Sequence, residues 1–241
     1  MCRRRQCQHR SQTLQFCTDE EDRMGSIGLD IDEVLSTTRN VRKRLDLERP
    51  VEREVVEECL DLALQAPNGS NQQTWEWMLI DDPDKRKLIA DINRDALAHF
   101  LEVIEKKPDI LSSRDIGRNE RMDQIGGSVL YLIEVMERVP VLVIPMHRGK
   151  MEGKNVFYQA SMWGSIIPAA WSFMLALRSR GLGSALTTLH LWKEQEVAEA
   201  LGIPFKEYTQ AGLFPVAYTK GLDFKSAQRR PAADVMHWNK W

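Results

Sequence analysis

An excess of charge of either sign is missing from this 241-residue sequence: 33 Lys and Arg stand against 35 Asp and Glu, a formal net charge of −2. Clustered basic charge supplies most of the non-specific affinity for nucleic acid, so a surface built wholly for that purpose is excluded. Cysteine is scarce. Three of the four, Cys2, Cys7 and Cys17, fall near the N-terminus, leaving Cys59 alone in the body. A disulfide framework is thereby excluded, and the N-terminal cysteines, with His9 among them, match no common zinc spacing. Cys59 falls on an apolar helix face and reads as an inert buried thiol, in a body expected to be cytoplasmic and reduced. The most apolar stretch, Met162 to Leu177, is shorter than the roughly 20 residues a bilayer requires and carries Pro168 and two serines. It reads as a buried helix, with no membrane partner expected.

Several catalytic signatures are missing too. The histidines stand at 9, 99, 147, 190 and 237, too dispersed for a ligand cluster, and no metal site is expected. There is no HExxH, no Walker loop and no GxSxG elbow. Gly181-Leu182-Gly183 lacks a third glycine and follows a helix, so it reads as a helix-ending turn and not a dinucleotide fingerprint. No internal repeat appears.

What is present is a globular composition, 43% hydrophobic and 28% charged, enough apolar material for one large core. Residues 1–26 differ from the rest, with a basic block followed by an acidic run, and read as a disordered extension. Met24, ahead of a more ordinary start, is a second candidate for the start of translation. The domain is expected over 27–241, mixing helices and short strands. Pro50 introduces a helix with Val51, Val55, Cys59, Leu62 and Ala66 as one apolar stripe, ended by Pro67-Asn68-Gly69. Strands are expected at 76–81, 139–146, 184–189 and 210–218, and helices at 30–37, 85–106, 121–138, 156–180 and 193–201.

Three segments far apart in sequence each suit part of an anionic aromatic ligand. In Arg39-Asn40-Val41-Arg42-Lys43-Arg44, alternation can place Asn40, Arg42 and Arg44 on one side of an extended chain, where they could hold a phosphate; a solvated basic face has the same pattern. The loop from Ala66 to Trp75 is rich in side-chain amides that donate and accept along a heteroaromatic edge; a plain turn would look alike. The third comprises Ser184 to Thr188, with Arg229-Arg230-Pro231 near the C-terminus.

In order and spacing these segments resemble the nitroreductase family of FMN-dependent oxidoreductases. The family's Arg/Ser/Arg phosphate motif is matched by Arg39-Asn40-Val41-Arg42, and its APS-type loop ending N-x-Q-P-W by Ala66-Pro67-Asn68 through Asn71-Gln72-Gln73-Thr74-Trp75. The central helix ending GLGS is matched by Gly181 to Ser184, the LGIP segment by Leu201 to Pro204, the strand beyond it by Leu213 to Tyr218, and the arginine two before a proline by Arg229. The resemblance runs from about Val34 to the C-terminus.

It implies an α+β fold, a central mostly antiparallel sheet flanked by helices, in an intertwined homodimer whose C-terminal arm, about 219–241, wraps the partner. Arg39, Asn40, Arg42 and Arg229 would surround the FMN phosphate and ribityl chain. Asn68, Asn71 and Gln73 would line the ribityl and ring side, and Leu186, Thr187 and Thr188 the other. The implied activity is ping-pong transfer from NADH or NADPH through FMN to a small-molecule acceptor, nitroaromatic or quinone-like, with no protein acid or base required. Arg114, Arg118 and Arg121, in the variable segment 99–127, are candidate substrate anchors, or part of a solvated lid. Relatives include reductive dehalogenases and a flavin-consuming enzyme, and a flavin-binding protein without turnover is a further alternative. Four departures stand out: Asn40 for serine, Thr74 for proline, Arg44 for an aromatic, and Trp171-Ser172 for a Gln-Asn pair on the central helix, a change that could alter packing below the flavin or the pocket itself.

Overall fold

The computed structural model describes residues 25–106 and 119–241. The first helix, α1 (Ile31–Thr37), starts on a capping box. Glu33 N–H donates to the Asp30 carboxylate at 2.8 Å, and the Glu33 carboxylate accepts from Asp30 N–H at 3.2 Å. Helix α2 (Arg53–Ala63) buries Val56, Cys59 and Ala63. This face differs from the expected stripe: the helix begins after Val51 and ends before Ala66, and Leu62 is exposed. Burial pushes the Cys59 thiol up to about 12, consistent with an inert side chain.

Strand β1 (Trp75–Ile80) is followed by α3 (Pro83–Lys106), α4 (Asn119–Val135) and β2 (Val141–Arg148). Then come α5 (Val156–Ser179), β3 (Leu182–Ser184), α6 (Glu194–Leu201), β4 (Tyr208–Gln210) and β5 (Phe214–Tyr218). The sheet is antiparallel throughout, in the order β1-β2-β5-β3, with β4 on β2.

Two expected strands are altered by tertiary pairing. The strand foreseen over 210–218 is split, because β4 pairs with Met146–Arg148 and β5 with Val141–Val143. Pro145, which has no N–H to give a ladder, sits at that break, and its carbonyl accepts from Ala211 N–H at 2.8 Å. The strand foreseen over 184–189 stops at Ser184, leaving Thr187 as an isolated bridge to Leu213.

Helix α5 is the spine of the core. At 24 residues it exceeds the apolar stretch expected, and among the described residues it is the one helix long and apolar enough to cross a membrane. Half of that apolar window is buried inside the fold. Phe173 meets Phe214 edge-on at 6.3 Å and Trp77 at 5.5 Å, joining the helix to β5 and β1. Pro168 removes one amide from the helix ladder; the carbonyl it would have served belongs to Gly164, on the exposed face where water can serve it. At the C-terminal end Arg180 Nε donates to Glu58 at 3.0 Å, tying α5 to α2.

Candidate functional site

Beyond α1 the chain runs against β3. Asn40 forms a parallel bridge with Ser184, Val41 N–H donates to the Ser184 carbonyl at 2.8 Å, and Leu186 N–H donates to Asn40 Oδ1 at 2.9 Å. Gly183 permits the approach: a Cβ there would lie 3.0 Å from Val41 Cβ and 2.7 Å from the Thr219 methyl. The expected one-sided alternation is replaced by a turn, in which Leu45 N–H donates to the Arg42 carbonyl at 3.3 Å. The turn brings Arg39, Asn40, Arg42, Lys43 and Arg44 around one cavity of about 250 Å³, with Ser128 and Phe224 completing the wall.

This cavity is electrostatically incomplete. Among the described residues, Arg39 Nε and Nη2 are buried without a hydrogen-bond partner, as is Ser184 Oγ on β3, outside the cavity lining. Among the described residues Arg42 hydrogen-bonds only to Ser128 Oγ, at 3.4 Å, and burial holds its guanidinium below the ordinary range. Buried N–H donors left unpaired cost roughly 1–3 kcal/mol each, more when charged, so a cluster of them marks a place for an anion. Arg44 is engaged: it donates to the Lys220 carbonyl at 2.9 Å and to Asp223 at 2.5 Å, and lies 4.2 Å over the Phe224 ring.

The amide-rich loop is held elsewhere. Gly69 N–H donates to Ser165 Oγ on α5 at 2.9 Å, and Gln73 N–H to Asn68 Oδ1 at 3.0 Å. Gln73 Nε2 donates to Asn71 Oδ1 at 3.3 Å. Ser70, Asn71 and Gln73 have φ of 53°, 53° and 48°, the left-handed region. Such residues cost about 1–3 kcal/mol each and persist where their surroundings over-determine them, often at binding sites. At the Thr74 departure the hydroxyl lies 2.6 Å from His147 Nε2. His147 Nδ1 lies 2.7 Å from the Arg148 carbonyl, which can only accept. Nδ1 therefore carries the proton, and Nε2 accepts from Thr74. Burial holds His147 below its ordinary pKa. Beside the loop, Gln72, Thr74, His147, Lys150, Lys154 and Tyr158 line a second cavity of about 270 Å³.

Leu186, Thr187 and Thr188 continue from the Asn40 contact. Thr187 exchanges both backbone hydrogen bonds with Leu213, at 3.0 and 2.8 Å, and Leu186 packs so closely on Gly212 that a Cβ there would lie 2.4 Å from its Cδ1. Thr188 stands exposed ahead of a 3-10 turn, Leu189–Lys193.

The structure thus joins Arg39, Asn40 and Arg42 to the Leu186–Thr188 segment, and holds Asn68, Asn71 and Gln73 as a separate group. Among the described residues no hydrogen bond links the two groups. Arg229 lies on the exposed arm, its Nη1 donating to the Gln228 carbonyl at 3.2 Å, apart from the Arg39 cavity. Arg114 and Arg118 lie outside the described residues, as do residues 1–24 and the Arg121 side chain. Trp171 lies on the exposed face of α5. Sequence reasoning missed Ser128 and His147, and gave Phe224 a role only as part of the arm. None carried a local signal, because each joins the site only by long-range packing.

A family model described as "Nitroreductase family" matches residues 35–218. Iodotyrosine deiodinase 1 of Rattus norvegicus is 26% identical over 209 residues, covering 85% of this chain and 67% of that protein. Among solved structures, iodotyrosine deiodinase bound to FMN and 3-iodo-L-tyrosine superposes with a TM-score of 0.65 at 19% identity, covering 86% of this chain and 98% of that one. A BluB-like flavoprotein from Clostridium difficile 630 has a TM-score of 0.65 at 17% identity, covering 88% and 100%. An FMN and NADPH-dependent nitroreductase from sphigopyxis sp. strain HMH has 0.61 at 17%, covering 88% and 100%. These likenesses show a shared fold. With the family model spanning the helices, the sheet and the Arg39 segment, this chain belongs to the nitroreductase family.

Proposed function

We propose that the chain is an FMN-dependent oxidoreductase, working as a cytoplasmic homodimer, that passes electrons from NADH or NADPH to a small electron-poor acceptor of nitroaromatic or quinone type. The observation that carries this reading is the pair of buried Arg39 nitrogens, unpartnered among the described residues, in a basic cavity that Arg42, Lys43 and Arg44 also line. Those donors fit a phosphate dianion. When bound, FMN supplies two-electron chemistry between a nicotinamide donor and the acceptor.

The chain's own residues position and polarise. Arg39 and Arg42 would hold the phosphate, while Asn40 locks their segment to Leu186. Thr187 and Thr188 would flank the ring. Asn71 and Gln73, held in strained backbone, would offer amides to it from the second copy. Arg229 would complete the phosphate shell once the arm is seated on the dimer. Positive charge at the site would favour the reduced, more anionic state. The support for a second copy is the uncovered stripe Phe157, Ala160, Gly164, Ile167 and Trp171 on α5, exposed at steps of three and four.

A second reading, reductive dehalogenation of a halogenated aromatic, is favoured by the 26% identical deiodinase. The test is the visible spectrum of purified protein, identification of the released cofactor, and anaerobic reduction by each nicotinamide nucleotide followed by a quinone, a nitroaromatic or a halophenol. Colourless protein that takes up no FMN overturns the proposal. A yellow protein reduced by neither nucleotide overturns the nicotinamide-dependent part.

A further inference from the structure

Phe224 is where the C-terminal arm meets the basic cavity. Its ring is stacked by two guanidinium groups, Arg44 at 4.2 Å and Arg178 at 4.8 Å. Arg44 also holds the Lys220 carbonyl and Asp223, while Arg178 Nη2 donates to the Leu222 carbonyl at 3.0 Å. Arg178 Nε and Nη2 further reach Thr37 Oγ1 at 3.3 Å, joining the end of α1 to the same knot. Gly221, with φ of 78°, makes the turn; a Cβ on it would lie 2.7 Å from Arg44 Nη2. Residues 220–224 are therefore gripped from both sides.

One side of the grip lines the cavity. The other, Arg178, stands behind it, only 5% exposed on the last turn of α5. Its Nη1 is buried and, like Arg39 Nε and Nη2, has no hydrogen-bond partner among the described residues. Burial, reinforced by Arg44 and Arg39, holds its guanidinium below the ordinary range, with Glu33 opposing. Of these three arginines only Arg44 has an ion pair among the described residues, and its partner Asp223 is largely exposed. Like charges gathered in partly desolvated surroundings repel, and an added dianion relieves that repulsion.

We propose that Arg178 is a positioning residue which, through Phe224, couples occupancy of the Arg39 cavity by the flavin's phosphate to the seating of the C-terminal arm. The inference rests on the FMN reading above. Arg178 acts at one remove: its stack fixes Phe224, Phe224 walls the cavity, and its charge adds to the field on the anion.

FMN and riboflavin differ only in the phosphate, so the pair separates this role from general support. Apoprotein is titrated with each by flavin fluorescence, and tryptic cleavage after Lys225 and Arg229 is followed in parallel. FMN, but not riboflavin, slows arm cleavage in the unaltered protein. Arg178→Met and Phe224→Leu weaken FMN by about three- to thirty-fold, the weight of a desolvated cation–π contact. Both leave riboflavin affinity unchanged and abolish the protection, while Arg178→Lys, keeping the charge, recovers part of it. Equal losses for the two flavins, or undiminished FMN affinity in both variants, overturn the proposal. Should Arg178→Met fail to fold, Arg178→Lys and Phe224→Leu decide together: FMN affinity undiminished in both, or equal losses for the two flavins, overturns the proposal. If the unaltered protein takes up neither flavin, the FMN reading falls. Inorganic phosphate then decides the coupling: protection of the arm that Phe224→Leu abolishes sustains it, and no protection overturns it.

Discussion

Asn40 and Leu186, 146 residues apart, are joined by a 2.9 Å hydrogen bond from the Leu186 amide to the Asn40 side chain. That bond makes one surface of two segments, the basic turn and the 186–188 strip. Asn40→Ala removes the acceptor at a cost of about 0.5–1.5 kcal/mol. Urea unfolding measures it, and FMN affinity is expected to fall with it; Asn40→Ser, restoring a short polar group, recovers part of both. Unaltered stability in Asn40→Ala would show that water replaces the contact.

Arg229→Ala is expected to weaken FMN retention by about 1.5–3 kcal/mol, the range of a charge-assisted hydrogen bond. Among the described residues its side chain hydrogen-bonds to the Gln228 carbonyl, apart from the Arg39 cavity, so the loss should appear only in the assembled dimer. Equilibrium dialysis at protein concentrations above and below the dimer dissociation constant checks this. Equal affinity to wild type at both removes Arg229 from the site.

Trp171→Glu places a carboxylate in the uncovered apolar stripe of α5. If a second copy packs there, the buried unpaired charge costs about 3 kcal/mol or more, roughly a hundredfold in dimer affinity. Sedimentation velocity should then show monomer. A dimer of wild-type strength would move the interface to another face.

Ser70 sits at φ 53° between Gly69, docked on α5, and Asn71. Ser70→Gly removes the left-handed penalty but frees the unfolded chain, for a net gain of up to about 1 kcal/mol. Thermal unfolding should rise slightly while FMN affinity falls, because the loop is no longer held in one conformation. A rise in both would mean that the strain serves no binding purpose.

His190 is fully buried, and burial pulls its pKa down to about 4 from 6.5, Gln210 opposing only in part. Between those values the unfolded chain binds a proton that the folded state refuses. Stability is thus fully present above the unfolded value and is lost as pH falls toward about 4, by about 3 kcal/mol in all. His190→Gln should flatten urea-unfolding stability between about pH 6.5 and 4. An unchanged slope would assign the acid loss to carboxylates instead.

Much of the fold follows local rules, for reasons the structure shows in particular residues. Asp30 and Glu33 form the capping box of α1, Pro67-Asn68-Gly69 ends the α2 region, and Gly202 in left-handed conformation closes α6. Each is a rule acting within about four residues. The α2 stripe differs from the spacing at Leu62 because the apolar positions offer two helical faces, and contact with α5 selects Val56, Cys59 and Ala63. The strand over 210–218 looked continuous because nothing within it shows that Pro145, on another strand, would lie at its break.

By itself, then, the sequence determined the elements, their order and the residue types able to hold a phosphate beside an aromatic ring, since periodicity, caps and motif spacing are written in near neighbours. Only the tertiary structure decided how those residues combine. Asn40 meets Leu186, Thr74 meets His147, and Phe224 meets both Arg44 and Arg178. Such pairings depend on where chain segments close in space, with the burial that leaves Arg39 nitrogens unpartnered, and no window of sequence contains both ends of the contact.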